Sequence, residues 1–164
     1  MGPIPLGAAS NIDYPSTTMR VAVFNGVLLL TILYALYRGR APERWTAAIF
    51  ACAVASEPLV HLFTPLIYSK MDPGHFVIDV VAWLGFFTIA IRAERFWPLC
   101  LVALHTITLM SHIAKFMDVS IVPRAYFIMQ IATAYPSVIA LAVGTYQHQR
   151  RLKANGTDPS WRKS

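Results

Sequence analysis

Five apolar runs, each near the length of a bilayer-crossing helix, constrain this chain more than any other feature. A helix rising 1.5 Å per residue needs roughly 20 apolar residues to cross a hydrocarbon core of about 30 Å. The runs cover residues 21–37, 45–68, 76–91, 96–116 and 123–147. The third is the shortest and carries Asp79. Rejecting it would leave a long apolar loop in hydrocarbon, which the hydrogen-bonding needs of the backbone disfavour. Composition agrees: 56% of the 164 residues are hydrophobic and 13% are charged, against roughly a quarter charged in a soluble domain. A soluble globular domain, a disordered chain and a disulfide scaffold are thereby excluded. The expected fold is all-α, a polytopic transmembrane bundle of about five spans occupying residues 20–149.

The flanking segments read differently. Residues 1–18 hold no Lys or Arg and several Gly and Pro, so residues 1–19 are expected to form a flexible arm, with no signal-peptide pattern. Met19 is an alternative start to Met1. Residues 150–164 are expected to form a basic cytoplasmic tail. Cys52 and Cys100 lie in apolar runs without metal or redox spacing, and read as small core hydrophobes.

Charge sets the expected direction. Arg38, Arg40, Arg44, Arg92, Arg95, Arg150, Arg151, Lys153, Arg162 and Lys163 fall on one side of the five-span map. Arg20, Lys70, Lys115 and Arg124 fall on the other. Ten against four places the N-terminus outside and the C-terminus in the cytoplasm by the positive-inside rule. The net charge of +6 is thus a topology signal. The tail suits anionic headgroups of the lipid bilayer, and no nucleic-acid motif accompanies it.

Polar residues inside the spans cost free energy, about 2.5–3.5 kcal/mol for an Asp, Lys or Arg at a helix centre. They are expected to face the bundle interior and to mark any site. These are Asn25, Glu57, His61, Asp79, His105, His112, Tyr126 and Gln130. At 1.5 Å per residue Glu57 lies about 18 Å from the cytoplasmic edge, His112 about 22 Å, and Asn25, Asp79, Tyr126 and Gln130 roughly 20–26 Å. All five helices therefore bring a polar group to one layer in the outer half of the membrane. Tyr126, Gln130, Thr133 and Ser137 make a stripe down the fifth span. Lys115 and Asp118, at the outer end of the fourth span, are expected to snorkel or to pair. Ala51/Ala55 and Ala140/Gly144 give small residues four apart, suited to close helix approach within the bundle.

Three readings of the layer stand open. In the first it is structural glue, including the case of a small subunit bound to a membrane-protein partner. In the second it receives a lipid-like small molecule, with Glu57, His61, Asp79, Trp83, His112, Tyr126 and Gln130 around the ligand. In the third, His61 and His112 hold a b-type haem, or His61, His112 and His105 contribute to a metal site. A Glu57–His61 pair four residues apart has acid–base potential. The motifs of common hydrolases, metalloproteases and nucleotide-binding folds do not occur, so the sequence favours a non-catalytic role.

Two resemblances add to this. The stretches RAERFWPL (92–99), PRAY (123–126), Tyr135-Pro136, Gly144-Thr145-Tyr146 and YRGRAPER (37–44) resemble a family of small polytopic bacterial inner-membrane proteins. The resemblance covers residues 19–151 and implies topology and location, with no chemistry. Residues 104–108, LHTIT, are similar to a short stretch of the emopamil-binding and sigma-2 receptor superfamily. That likeness implies an intramembrane ligand pocket.

Overall fold

The computed structural model describes residues 14–62, 73–118 and 120–161, excluding the side chains at positions 14–18, 61, 123, 124 and 127. Five helices account for almost all of it: α1 (Tyr14–Arg38), α2 (Ala41–His61), α3 (Pro73–Arg92), α4 (Trp97–Met117) and α5 (Pro123–Asn155). Four contain segments long and apolar enough to cross a membrane: Met19–Arg38, Pro73–Arg92, Trp97–Met117 and Ile128–Asn155. Only 22–33% of the most apolar window of each is buried. The outward remainder, such as Leu29, Leu30, Leu33, Val77, Val81 and Leu84, is apolar and exposed. A coat of that extent suits hydrocarbon and would be a large apolar patch in water. The chain is therefore a helical, multi-pass membrane protein.

The helix α2 falls short of the other four. It carries Glu43 and Arg44 in its first turn and Glu57 near its end. The described part of this second expected span stops at Leu62, and residues 63–68 lie outside the described residues. At its other end α1 starts at Tyr14, inside the segment read as an arm, and α5 continues through Pro136 to Asn155. The last turns of α5 thus absorb Arg150, Arg151 and Lys153 into helix.

Each helix packs on the next in sequence, and α5 returns to α1, so the bundle closes into a ring with α2 also touching α5. Leu28, Ile32, Ala35, Ala47, Phe86, Leu101, Val138 and Leu141 form the buried centre. Short connections force neighbouring helices antiparallel. Between α1 and α2 the link is tight because Gly39 has no side chain. A Cβ there would sit 2.4 Å from the Ala35 carbonyl oxygen and 2.5 Å from the Glu43 Cβ. The expected small-residue pairs divide. Gly144 is buried against the indole of Trp97, whereas Ala51 and Ala55 lie on the exposed face of α2.

Candidate functional site

Two regions of the bundle concentrate polar side chains, one toward each end. In the half away from the Gly39 link, a cavity of about 340 Å³ opens among all five helices. Its polar lining includes Asn25 from α1, Glu57 from α2, His75 and Asp79 from α3, His105 from α4 and Gln130 from α5. One-layer convergence of Asn25, Glu57, Asp79 and Gln130 is what helical rise predicts from their positions in the five runs, whereas His105, at about 12 Å from the cytoplasmic edge on the same rise, is expected deeper and nevertheless lines the cavity.

Behind the wall formed by Asp79 and Gln130 runs a chain of hydrogen-bonding groups. The Oδ2 of Asp79 lies 2.8 Å from Nε2 of His112, and Nδ1 of His112 lies 2.6 Å from the Tyr126 hydroxyl. The side-chain amide nitrogen of Gln130 approaches His112 Nε2 at 3.2 Å. His112 is fully buried, Tyr126 nearly so, and the Asp79 side chain remains 25% exposed. The phenol and carboxylate hold the imidazole between them, so its ring cannot turn without losing a partner on each side. The Phe76 and Tyr126 rings meet it edge-on at 5.7 and 5.5 Å. Thr108 and Thr133 join α4 to α5 through hydroxyls 2.7 Å apart, and Ser137 donates to the Thr133 carbonyl at 2.8 Å. These hydroxyls satisfy themselves within the helices while lining the same cavity.

Other expected site residues are placed differently. Trp83 turns away from the cavity: its indole N–H donates to Thr106 Oγ1 at 2.9 Å and its ring stacks on Phe87 at 5.2 Å. The side chain of His61 lies outside the described residues. An axial haem ligand needs a free imidazole nitrogen with open space before it. Both nitrogens of His112 have polar partners and no part of the ring is exposed, so His112 does not fit that role. His105 points its ring between Phe50 and Phe86, at centroid distances of 6.4 and 4.7 Å. Among the described residues no three His, Cys, Asp or Glu side chains are grouped to hold a metal ion.

The sequence reading missed His75. Its Nε2 lies 3.4 Å from Glu57 Oε1, joining α2 and α3 at the cavity rim. It stands just before the third apolar run, and proximity in a folded bundle was the one signal available. Lys115 was expected to snorkel or to pair with Asp118. It is 1% exposed, with its ammonium 2.5 Å from the Ile121 carbonyl oxygen, and its charge also acts on Asp118. Hydrogen bonds from the Ser120 side chain and from the Ser120 N–H, the latter at 2.8 Å, lower the Asp118 carboxyl below the ordinary range.

The second polar region lies at the Gly39 end and was not anticipated at all. Here α5 ends on Gly156 in the left-handed conformation, φ 70°, the usual way to turn a chain sharply off a helix. The following residues run back, and Trp161 forms an antiparallel backbone bridge with Ala93 in the α3–α4 link. That return buries Asp158 in a cluster of ionic side chains. Its Oδ2 lies 2.8 Å from Arg95 Nη2 and 2.5 Å from His148 Nδ1, and its Oδ1 accepts from Arg151 Nε at 3.0 Å. Arg95 also faces the fully buried Glu43 at 3.4 Å and donates to the Pro159 carbonyl. Glu43 Oε2 in turn accepts the Arg40 backbone N–H at 3.0 Å, capping α2. Burial alone would raise the Asp158 carboxyl, but hydrogen bonds from His148, Arg151 and Arg95 outweigh it and hold it below the usual carboxylate range.

These two arrangements have different chemical capacity. In the end cluster the buried carboxylates already face arginine and histidine side chains. The cavity has room beside its carboxylates, so it is the candidate site. Compared with family models, curated proteins and solved structures, the chain matches none of them.

Proposed function

We propose that this protein is a five-span bacterial inner-membrane protein, N-terminus outside and C-terminus cytoplasmic, that binds a small amphiphile in the outer half of the bilayer. The ten-to-four division of Lys and Arg supports the orientation. It also puts the Gly39 end, with its buried ionic cluster, on the cytoplasmic side. α2 counts as the fifth span because its flanking helices enclose it on both sides of the ring.

One observation carries the binding reading: a mostly apolar cavity of about 340 Å³ into which all five helices present at least one polar group. Cavities of this kind, an apolar volume with a few convergent polar anchors, are the usual form of small-molecule sites. In this reading Glu57, Asp79 and Gln130 meet the ligand's head, and the apolar wall holds its tail. His112 and Tyr126 act one step back, orienting Asp79. The role is binding without catalysis.

The test is native mass spectrometry of the purified protein released from mild detergent. A bound amphiphile, lost in Asp79→Asn and retained in Trp83→Phe, is the expected result. Loss in Trp83→Phe with retention in Asp79→Asn would move the site elsewhere. An empty cavity together with a stoichiometric protein partner would replace ligand binding by the role of a complex subunit.

A further inference from the structure

The seam where the ring closes differs from the others. Consecutive helices are antiparallel, whereas α1 and α5 run the same way, and two contacts fix their register. Phe24 meets Tyr135 ring to ring at 4.9 Å, and the Gln149 side-chain amide donates to the Arg38 carbonyl oxygen. Phe24 to Arg38 is 14 residues, and so is Tyr135 to Gln149. The two helices therefore advance level with each other toward the Gly39 end, where no short link joins them.

Beside this seam α5 turns one arc outward. Ile139, Val143, Tyr146, Arg150 and Lys153 recur at helical spacing, and all five are exposed. Gln149 lies at the edge of that arc, which places the arc next to α1. On α1 the face that carries Arg38 also carries Tyr34 and Val27; Tyr34 is half-buried and the other two are exposed.

Measured by helical rise from the Arg38–Gln149 contact, these side chains sort by chemistry. Arg38 and Arg150 stand level with it, and Lys153 about 6 Å beyond. Tyr34 and Tyr146 lie about 5–6 Å inward, and Val143, Ile139 and Val27 about 9–17 Å inward. Cations, phenols and aliphatic side chains thus succeed one another in the order of a phospholipid's phosphate, glycerol esters and acyl chain.

The buried carboxylates of this end are engaged elsewhere. Glu43 faces Arg95, and Asp158 faces Arg95, His148 and Arg151. Among the described residues Arg38, Arg150 and Lys153 enter no ion pair. The return of residues 156–161 leads to Ala93 in the α3–α4 link, and so not to α1.

We propose that the α1–α5 seam at the Gly39 end binds one anionic phospholipid of the surrounding bilayer. Arg38, Arg150 and Lys153 hold its phosphate, Tyr34 and Tyr146 flank its glycerol, and an acyl chain lies along Val143, Ile139 and Val27. Guanidinium groups suit this head because they offer paired donors to phosphate oxygens. The site is separate from the cavity, and it needs neither the amphiphile reading nor a particular direction of insertion.

The experiment is native mass spectrometry of the full chain in mild detergent, titrated with dioleoylphosphatidylglycerol and, separately, with dioleoylphosphatidylcholine. The seam pair, Arg38→Gln with Arg150→Gln, is compared with the rim pair, Arg44→Gln with Arg92→Gln. Both pairs remove the same charge from exposed positions at the same end. One tightly held phosphatidylglycerol is expected on the unaltered protein. It should weaken about tenfold or more in the seam pair and less than about twofold in the rim pair. Lys153→Gln, in the last turn of α5, repeats the test with one charge and should weaken it about threefold or more even if the seam pair fails to fold.

Equal weakening by the two pairs overturns the site in favour of diffuse attraction to a basic rim. Equal affinity of the unaltered protein for the two lipids overturns the anionic head. Displacement of the lipid by glycerol 3-phosphate at matched concentration overturns a lipid occupant in favour of a soluble phosphate ester.

Discussion

The two polar regions of this bundle are built from the same residue types and behave as opposites. At the Gly39 end, Glu43, Arg95, His148 and Asp158 are each no more than 8% exposed, and the cations and anions meet each other directly. At the cavity, Glu57 and Asp79 keep part of their surface open and contact histidines, with no Lys or Arg among the described lining residues. A buried carboxylate held by an arginine serves structure, whereas Asp79 keeps a quarter of its side-chain surface open beside empty volume. The contrast teaches that burial of charge alone does not mark a binding site; unfilled space beside the charge does.

Breaking the closed cluster should have the largest effect. Arg95→Met strands Glu43 and Asp158 without their shared cation, a loss of about 3–5 kcal/mol for a buried pair. Thermal unfolding in detergent should show it as a markedly lower midpoint, and an unchanged midpoint would refute the assigned role of the cluster. Gly144→Val is next. Its new side chain would start 2.6 Å from the Trp97 ring, and overpacking of this kind costs about 1–3 kcal/mol. The same unfolding assay applies, with Ala140→Gly as a milder neighbouring control.

Asp79→Asn should be gentler, about 1 kcal/mol, because an amide keeps one hydrogen bond to His112. The amphiphile should nonetheless be lost, so stability and binding separate at this residue. Glu57→Gln should be smallest for stability, because the amide can keep a hydrogen bond to His75 and removes a charge from apolar surroundings.

Acid gives a further separation. The Asp158 carboxyl is held below its ordinary range in the folded state. A depressed folded value means that its contribution is complete above the unfolded value, about 3.9, and is lost as pH falls through the lower folded one. Labelling of a Ser160→Cys thiol should therefore stay constant from pH 8 down to about 5. After equal exposure to pH below 3 and return to neutral labelling conditions in a pulse, it should rise. A rise near pH 6 would assign release to another group.

How much of this was legible in the sequence follows from what each feature costs. Apolar runs and intramembrane polar groups stand out because each violates an average composition, so the helices and the convergence of Asn25, Glu57, Asp79 and Gln130 could be read from spacing alone, while His105 could not. Trp83 could not be oriented, since helical residues 79 and 83 share a face and only the Thr106 hydroxyl decides which way the indole turns. The end cluster was invisible for a different reason. Glu43, Arg95 and Asp158 sit in segments where charge is ordinary, and 63 residues separate Arg95 from Asp158. Only the left-handed turn at Gly156 brings them together.

That turn has a consequence for the making of the protein. Glu43 and Asp158 lie 115 residues apart in the chain, about 6–23 s of synthesis at 5–20 residues per second. Until the residues after Gly156 emerge, Arg95 and Glu43 have no Asp158, and the ring has no clasp. The Arg95–Glu43 pair therefore has to stand without its third partner while the rest of the bundle is made, and the cluster is closed last.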